Sequence, residues 1–445
     1  MMNVPGPLDS SFSQLRRLRK DFLGYLQDAA LYGDLVLLRP APGVQIYLVN
    51  HPGLIEDILV KRPECFHKSR MTRRLVGKFL GNGLVLSEDE VHDSQRRQLQ
   101  PAFHGRRLLS NVELIAEITR QHIASWCAGQ AIDLDDEMTR LTMQVVVRTM
   151  FGVDKNDDAQ GVGVAMDQFA QSMASRFRSL PMPDWLPLPR HRRERRAIET
   201  LNAAIQKVFE ARKSHARDDL ISMLLATQEP VEFSQIRDHL ATFYFAGHET
   251  TAKLLTWTLY LLAQNPEADE KLRKEIDGLE EGSPLTVVAL SELQYLDQVL
   301  KEALRLYPPA WLFDREPVQD IDLGGYCVPK GSTIYLSPYV MQRDTRWFSE
   351  PEKFNPDRFS PTHPVRMPRY AYFPFGFGPR NCIGRGLAEL NAKASLVVLL
   401  KAFRFASSGQ TVELEPGATL RPKHGLKLML ANQGPRASKS PRAIQ

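Results

Sequence analysis

Residues 373–386 read Phe-Pro-Phe-Gly-Phe-Gly-Pro-Arg-Asn-Cys-Ile-Gly-Arg-Gly and lead into an apolar stretch with helical spacing that runs to Phe403. Gly376, Gly378, Gly384 and Gly386 surround the sulfur of Cys382. Glycine is used where a backbone bends sharply or approaches another group closely. A sulfur at a helix N-terminus faces backbone N–H groups and the positive end of the dipole, which favour thiolate over thiol. Phe375 is positioned to cover that sulfur from water. Cys65, Cys127 and Cys327 lie in no such setting and read as inert packing residues. The four cysteines show no CxxC or CxxH spacing, so neither a disulfide framework nor a structural zinc site is expected.

Upstream, Gln235 to Gln264 contains no proline and stops at Asn265-Pro266, which predicts one helix of roughly 45 Å at 1.5 Å per residue. Leu254, Leu255, Trp257, Leu259, Leu261 and Leu262 make its second half apolar all round, the mark of a core helix. Halfway along it stands Ala246-Gly247-His248-Glu249-Thr250-Thr251. Gly247 costs a helix about 1 kcal/mol relative to alanine, and successive threonines bond backwards to carbonyls. A small residue, an acid and a hydroxyl together let a flat cofactor approach and leave room for a small gas. A second helix, Leu290 to Leu306, carries Glu302 and Arg305 three apart and ends at Tyr307-Pro308-Pro309. Taken alone, that pair is a surface ion pair of little value. Asp34 to Asn50 reads as two strands about a Pro-Gly turn, and short strands follow around Gly324-Gly325 and Lys330-Gly331. Val112 to Phe151 and Ala197 to Arg212 read as helices, and the proline-rich Leu180 to Arg190 as a loop.

The segment Phe375 to Gly384 resembles the haem-binding loop of the cytochrome P450 family, and three further motifs follow the family's order from about Pro5 to Asn432. The resemblance implies a mainly α fold with small β-sheets, forming a single haem-enclosing domain over residues 1–432, while the polar, basic composition of residues 433–445 reads as a disordered tail. It implies that Cys382 is the ligand of a haem b iron, a ligation that favours O–O cleavage. It makes Glu249 and Thr250 the acid–alcohol pair that relays protons for O2 reduction. His248 is tempting as a metal ligand, but the family places a variable residue there. Glu302 and Arg305 become a buried pair joined by Arg358 of the segment Phe354 to Phe359, serving folding and haem-loop support. His92, Arg96, Arg315 and Arg380 are expected to meet the haem propionates, anions that need cationic or hydrogen-bonding partners. Phe375 and Gly384 complete the cofactor contacts. The pocket is expected to use Phe243, Ala246, Trp311, Leu312 and Phe313, with Leu84 and Val85 beside them, all apolar and suited to a hydrophobic substrate.

The reaction implied is insertion of one oxygen atom from O2 into a hydrophobic molecule, by hydroxylation or epoxidation. No fused flavin or iron–sulfur module is expected, so electrons from NAD(P)H are expected through a ferredoxin or flavodoxin and its reductase. Arg97, Arg106, Arg107, Arg385, Lys393 and Lys401 are expected to form the basic face that receives it. Two other readings remain: a peroxide-using or rearranging haem-thiolate enzyme, and a non-enzymatic haem ligand binder or sensor. Peroxide-using relatives replace the acid–alcohol pair, which is intact here, and nothing in the sequence resembles an output or DNA-binding domain, so a sensor is not expected.

Composition is that of an ordinary soluble globular protein, with 24% charged and 43% hydrophobic residues and a net charge of +5 over 445 residues. The basic runs at Arg16 to Lys20 and Arg192 to Arg196 lack the aromatic interleaving of a nucleic-acid surface and read as solvated helix faces. The first twenty residues contain no apolar run, so neither a secretory signal nor a membrane anchor is expected, and the cytoplasm is the expected compartment.

Overall fold

The computed structural model describes residues 3–432 apart from 104–105, 153–158, 179–184, 187, 218, 227–230 and 281. Most of the proline-rich 180–190 segment and the whole 433–445 tail therefore lie outside the described residues. The described chain is mainly helical with four small sheets.

The central element is the helix Phe233–Gln264, longer by two residues than its sequence pattern predicts. Its apolar half is buried on every side, Trp257 and Leu259 completely. It ends where Asn265 Nδ2 donates to the Leu261 carbonyl at 2.8 Å and Pro266 opens the next helix, Pro266–Ile276. Lys253, buried on this helix, donates to Asp135 at 2.7 Å and fastens the helix Leu134–Phe151 alongside. The helix Arg385–Ala402 packs on the helix Arg106–Ile123, with Thr119 and Ser395 hydroxyls 3.3 Å apart in the seam.

The predicted helix Leu290–Leu306 is two helices, Val287–Glu292 and Gln294–Leu306, broken at Leu293. The break is compensated from outside. The Glu275 carboxylate accepts the N–H groups of Tyr295 and Leu296 at 2.7 and 2.9 Å, satisfying donors that a new helix start leaves open. Apolar spacing runs through the break, so periodicity could not disclose it.

The largest sheet brings distant segments together. Strand Leu35–Ala41 pairs antiparallel with Val44–Val49, which runs parallel to Thr333–Leu336. That strand pairs with Phe313–Pro317, whose other edge takes the short strand Phe66–His67 in the register Phe66 to Pro317 and His67 to Glu316. Continued by one residue, this register sets Lys68 across from Arg315.

Candidate active site

The cysteine loop is built by its glycines. Gly376 and Gly378 have φ of 66° and 70°, and a Cβ on Gly378 would collide with the Leu59 carbonyl. The Cys382 N–H donates to the Phe375 carbonyl at 2.9 Å, closing the loop just before the helix Arg385–Ala402. Cys382 opens onto a cavity of about 290 Å³, with Phe375, Ile383 and Gly384 beside it. The Arg385 guanidinium lies 5.3 Å from the centre of the Phe375 ring. Burial pushes the Cys382 thiol up, opposed by the Gly384 N–H and Arg96. A metal ion held by this sulfur would supply positive charge there, and a coordinating thiol is deprotonated outright. Cys65 and Cys327 are half-buried, whereas Cys127 is exposed, so the packing role expected of all three does not describe it.

The opposite wall is the middle of the long helix: Thr242, Phe243, Ala246, Gly247, Thr250 and Thr251. The Thr250 hydroxyl donates to the Ala246 carbonyl at 2.6 Å. Glu249 does not border the cavity; its Oε1 accepts from the Thr419 hydroxyl at 2.7 Å. His248 is buried, stacked on Tyr244 with its Nδ1 2.6 Å from the Tyr244 carbonyl, and is likewise absent from the cavity wall.

One end of the cavity is cationic. His92, Arg96, Arg315 and Arg380 all border it, joined by Lys68, which sequence reasoning missed. Arg96 donates to the Asn381 carbonyl at 2.9 Å and to its side chain at 2.5 Å. Arg380 pairs with Glu88, which also takes Arg73 at 2.9 Å and the Lys68 backbone N–H at 2.6 Å. His92 is buried, with Nδ1 3.1 Å from Asp93. Arg315 is a buried residue, not a surface arginine, and burial lowers its pKa to about 10 despite Asp314. Lys68 is pushed down to about 7, by burial first and then by Arg315. Only the register of Phe66–His67 against Phe313–Pro317 marks Lys68, and a local Phe-His-Lys-Ser-Arg run does not.

The apolar wall includes Phe243, Ala246 and Phe313 together with Leu84 and Val85. Trp311 and Leu312 do not border the cavity, which corrects the expectation for both. Trp311 turns into the N-terminal cluster, edge-on to Phe22 at 5.2 Å, and its indole N–H donates to the Gly417 carbonyl at 3.0 Å. Leu312 packs on that same cluster.

Behind the loop lies a closed charge cluster. Glu302 takes Arg305 through both oxygens at 2.7 and 2.9 Å, and Arg358 Nε lies 3.5 Å from Glu302 Oε1. Arg305 also donates to the Gln342, Pro351 and Lys353 carbonyls, and all three charged residues are buried. Gln342, unmarked in the sequence, donates to the Leu304 and Arg305 carbonyls and accepts the Phe373 N–H at 3.1 Å. The cluster thereby reaches the first residue of the cysteine loop.

A cysteine facing a cavity, a glycine- and threonine-bearing helix across from it, and buried cations short of anions fit an anionic macrocycle bound through sulfur. The class is a haem-thiolate oxygenase. Residues 6–430 match the family model described as Cytochrome P450. The chain is 33% identical to cyclooctatin synthase of Streptomyces melanosporofaciens, over 96% of this chain and 93% of that protein. It is 34% identical to cyclooctat-9-en-7-ol 5-monooxygenase of the same organism, over 89% and 86%. Pentalenene oxygenase of Streptomyces avermitilis is 33% identical over 90% and 89%. The chain belongs to the cytochrome P450 family. It is a monooxygenase of hydrophobic substrates, using haem b, O2 and electrons from NAD(P)H. Among the described residues no helix is long and apolar enough to cross a membrane.

Proposed function

We propose that Cys382 ligates the haem iron, and that Lys68, His92, Arg96, Arg315 and Arg380 hold the propionates. One observation carries this reading. The Cys382 loop and Ala246, Gly247, Thr250 and Thr251 of the long helix line a single cavity that also takes Lys68, His92, Arg96, Arg315 and Arg380. Haem, when bound there, supplies O2 activation and oxygen-atom insertion. Phe375 and the Gly384 N–H shield and polarise the sulfur. Thr250 holds a proton at the cavity wall, and Glu249 replenishes it from outside that wall. Phe243, Ala246 and Phe313 exclude water and orient an apolar substrate. Its chemistry is that of the molecules in two relatives' names, cyclooctat-9-en-7-ol and pentalenene, mostly hydrocarbon.

The electron donor in this reading is an acidic ferredoxin or flavodoxin with its reductase. Of the expected basic face, Arg385 is paired with Glu389 at 2.9 Å and Lys393 with Asp297 at 3.2 Å, while the side chains of Arg106 and Arg107 lie outside the described residues. Lys401 is only half-exposed. Exposed Arg97, Arg366 and Arg369 have no carboxylate partner among the described residues and suit an acidic docking protein better. Arg366 and Arg369 rim a second cavity of about 560 Å³ behind the cysteine loop, which shares Phe375, Gly376 and Phe377 with the first. Four cysteines that form no disulfide support the cytoplasm as the compartment. The test is the reduced carbon-monoxide complex. Native protein should give the far-red Soret band of thiolate ligation, and Cys382→Ser should lose it. An unchanged band in the variant removes the assignment.

A further inference from the structure

The acid assigned to proton delivery is held by a distant part of the chain. Thr419 sits in the turn between strands Leu414–Pro416 and Leu420–Pro422, and its buried hydroxyl donates to Glu249 Oε1 at 2.7 Å. No cation pairs with Glu249 among the described residues, so this hydroxyl is the side-chain group that fixes the carboxylate. The turn itself is fastened from three directions. Trp257, two turns beyond Glu249 on the long helix, donates its indole N–H to the Leu420 carbonyl at 2.9 Å. Trp311 donates to the Gly417 carbonyl at 3.0 Å, and the Leu420 N–H donates to the Pro309 carbonyl at 3.1 Å. Trp257 is completely buried and stacked on Tyr307 at 4.3 Å, so the anchor is rigid.

We propose that Thr419 is a positioning residue for the proton relay, an inference that rests on the reading of Glu249 as its acid. A glutamate on a helix has several rotamers, and only some present its carboxyl toward Thr250. The Thr419 hydrogen occupies Oε1 and leaves Oε2 as the oxygen that gains a proton from solvent and gives it up toward the cavity. Thr419 itself neither gains nor loses a proton in the cycle; it selects the rotamer and the oxygen. The turn is thus part of the catalytic apparatus although it contributes nothing to the cavity wall.

The experiment compares Thr419→Val, Thr419→Ser, Glu249→Gln and Glu249→Asp in haem-loaded enzyme. It measures product per NAD(P)H and the solvent deuterium isotope effect on turnover. Thr419→Val should lower coupling by about tenfold, the size expected of one hydrogen bond to an ionised group, and enlarge the isotope effect. Thr419→Ser, which keeps the hydroxyl, should restore both. Glu249→Asp keeps the acid but is a methylene too short for Thr419. It should reproduce the valine phenotype, and it carries the test if the valine protein does not fold. Should Glu249→Gln uncouple while both Thr419→Val and Glu249→Asp keep parental coupling and isotope effect, the positioning role is overturned and the relay stands. Parental coupling in Glu249→Gln overturns the relay itself, and the proposal with it.

Discussion

Two buried charge clusters flank the cysteine loop, and they are finished differently. Around Glu302, the donors of Arg305 meet both carboxylate oxygens and three backbone carbonyls, with Arg358 alongside. At the cavity end, Arg315 is buried with its charge opposed by desolvation, and Lys68 is driven toward neutrality. A buried charge is tolerated when it is paired and hydrogen-bonded, and is costly otherwise. The first cluster is hydrogen-bonded within the chain around the Glu302–Arg305 pair, with only the Arg358 Nε lacking a hydrogen-bond partner among the described residues, and we assign it to the fold. The second has Arg380 paired with Glu88 but no carboxylate in salt-bridge contact with Lys68, Arg96 or Arg315 among the described residues, and in the proposed reading the haem propionates complete it.

The largest effect should come from opening the closed cluster. Glu302→Ala leaves Arg305 and Arg358 as unpaired buried cations at a cost of about 3–5 kcal/mol. Denaturant midpoint and haem yield should both collapse, and parental values for both would reduce the cluster to the standing of an exposed pair. The open cluster should respond with the opposite sign. Arg315→Met removes a desolvated cation, so the haem-free protein should be at least as stable as the parent. Haem release to a scavenger should accelerate about ten- to a hundredfold, the loss of one hydrogen bond to a charged group. If the haem-free variant is instead as destabilised as Glu302→Ala, the two clusters are alike.

Lys68 sharpens the contrast through pH. Its folded value of about 7 lies below the ordinary 10.5. Below pH 7 both folded and unfolded chains carry the proton, and this residue adds no slope. Between about 7 and 10.5 the unfolded chain binds more protons, so stability of the haem-free protein rises with pH. Lys68→Met should remove that part of the rise, and bound haem, by bringing anions, should suppress it too. Identical pH slopes in the haem-free parent and variant would show that Lys68 is not under strain. The smallest effect concerns exposed charge. Arg369→Glu should slow reduction by an acidic ferredoxin about threefold at low salt, a difference that fades as screening shortens the Debye length to about 8 Å at physiological ionic strength. A salt-independent rate would place docking elsewhere.

The sequence by itself determined the features that depend on neighbours along the chain. The glycines about Cys382 are written into the loop because the positive φ at Gly376 and Gly378 is a local demand of its turns. The long helix is legible because an uninterrupted apolar pattern and a terminal Asn-Pro suffice to define it. Tertiary structure decided whatever depends on residues far apart. The break at Leu293 is stabilised by Glu275 of another helix, and Trp311 leaves the cavity because Phe22 and Gly417 receive it. Lys68 joins the cavity through strand register with a segment almost 250 residues away, and Glu249 is held by a hydroxyl 170 residues later. Hydrogen bonds and desolvation act through space at a few ångströms, and a local pattern carries no record of which distant residue will fill that distance.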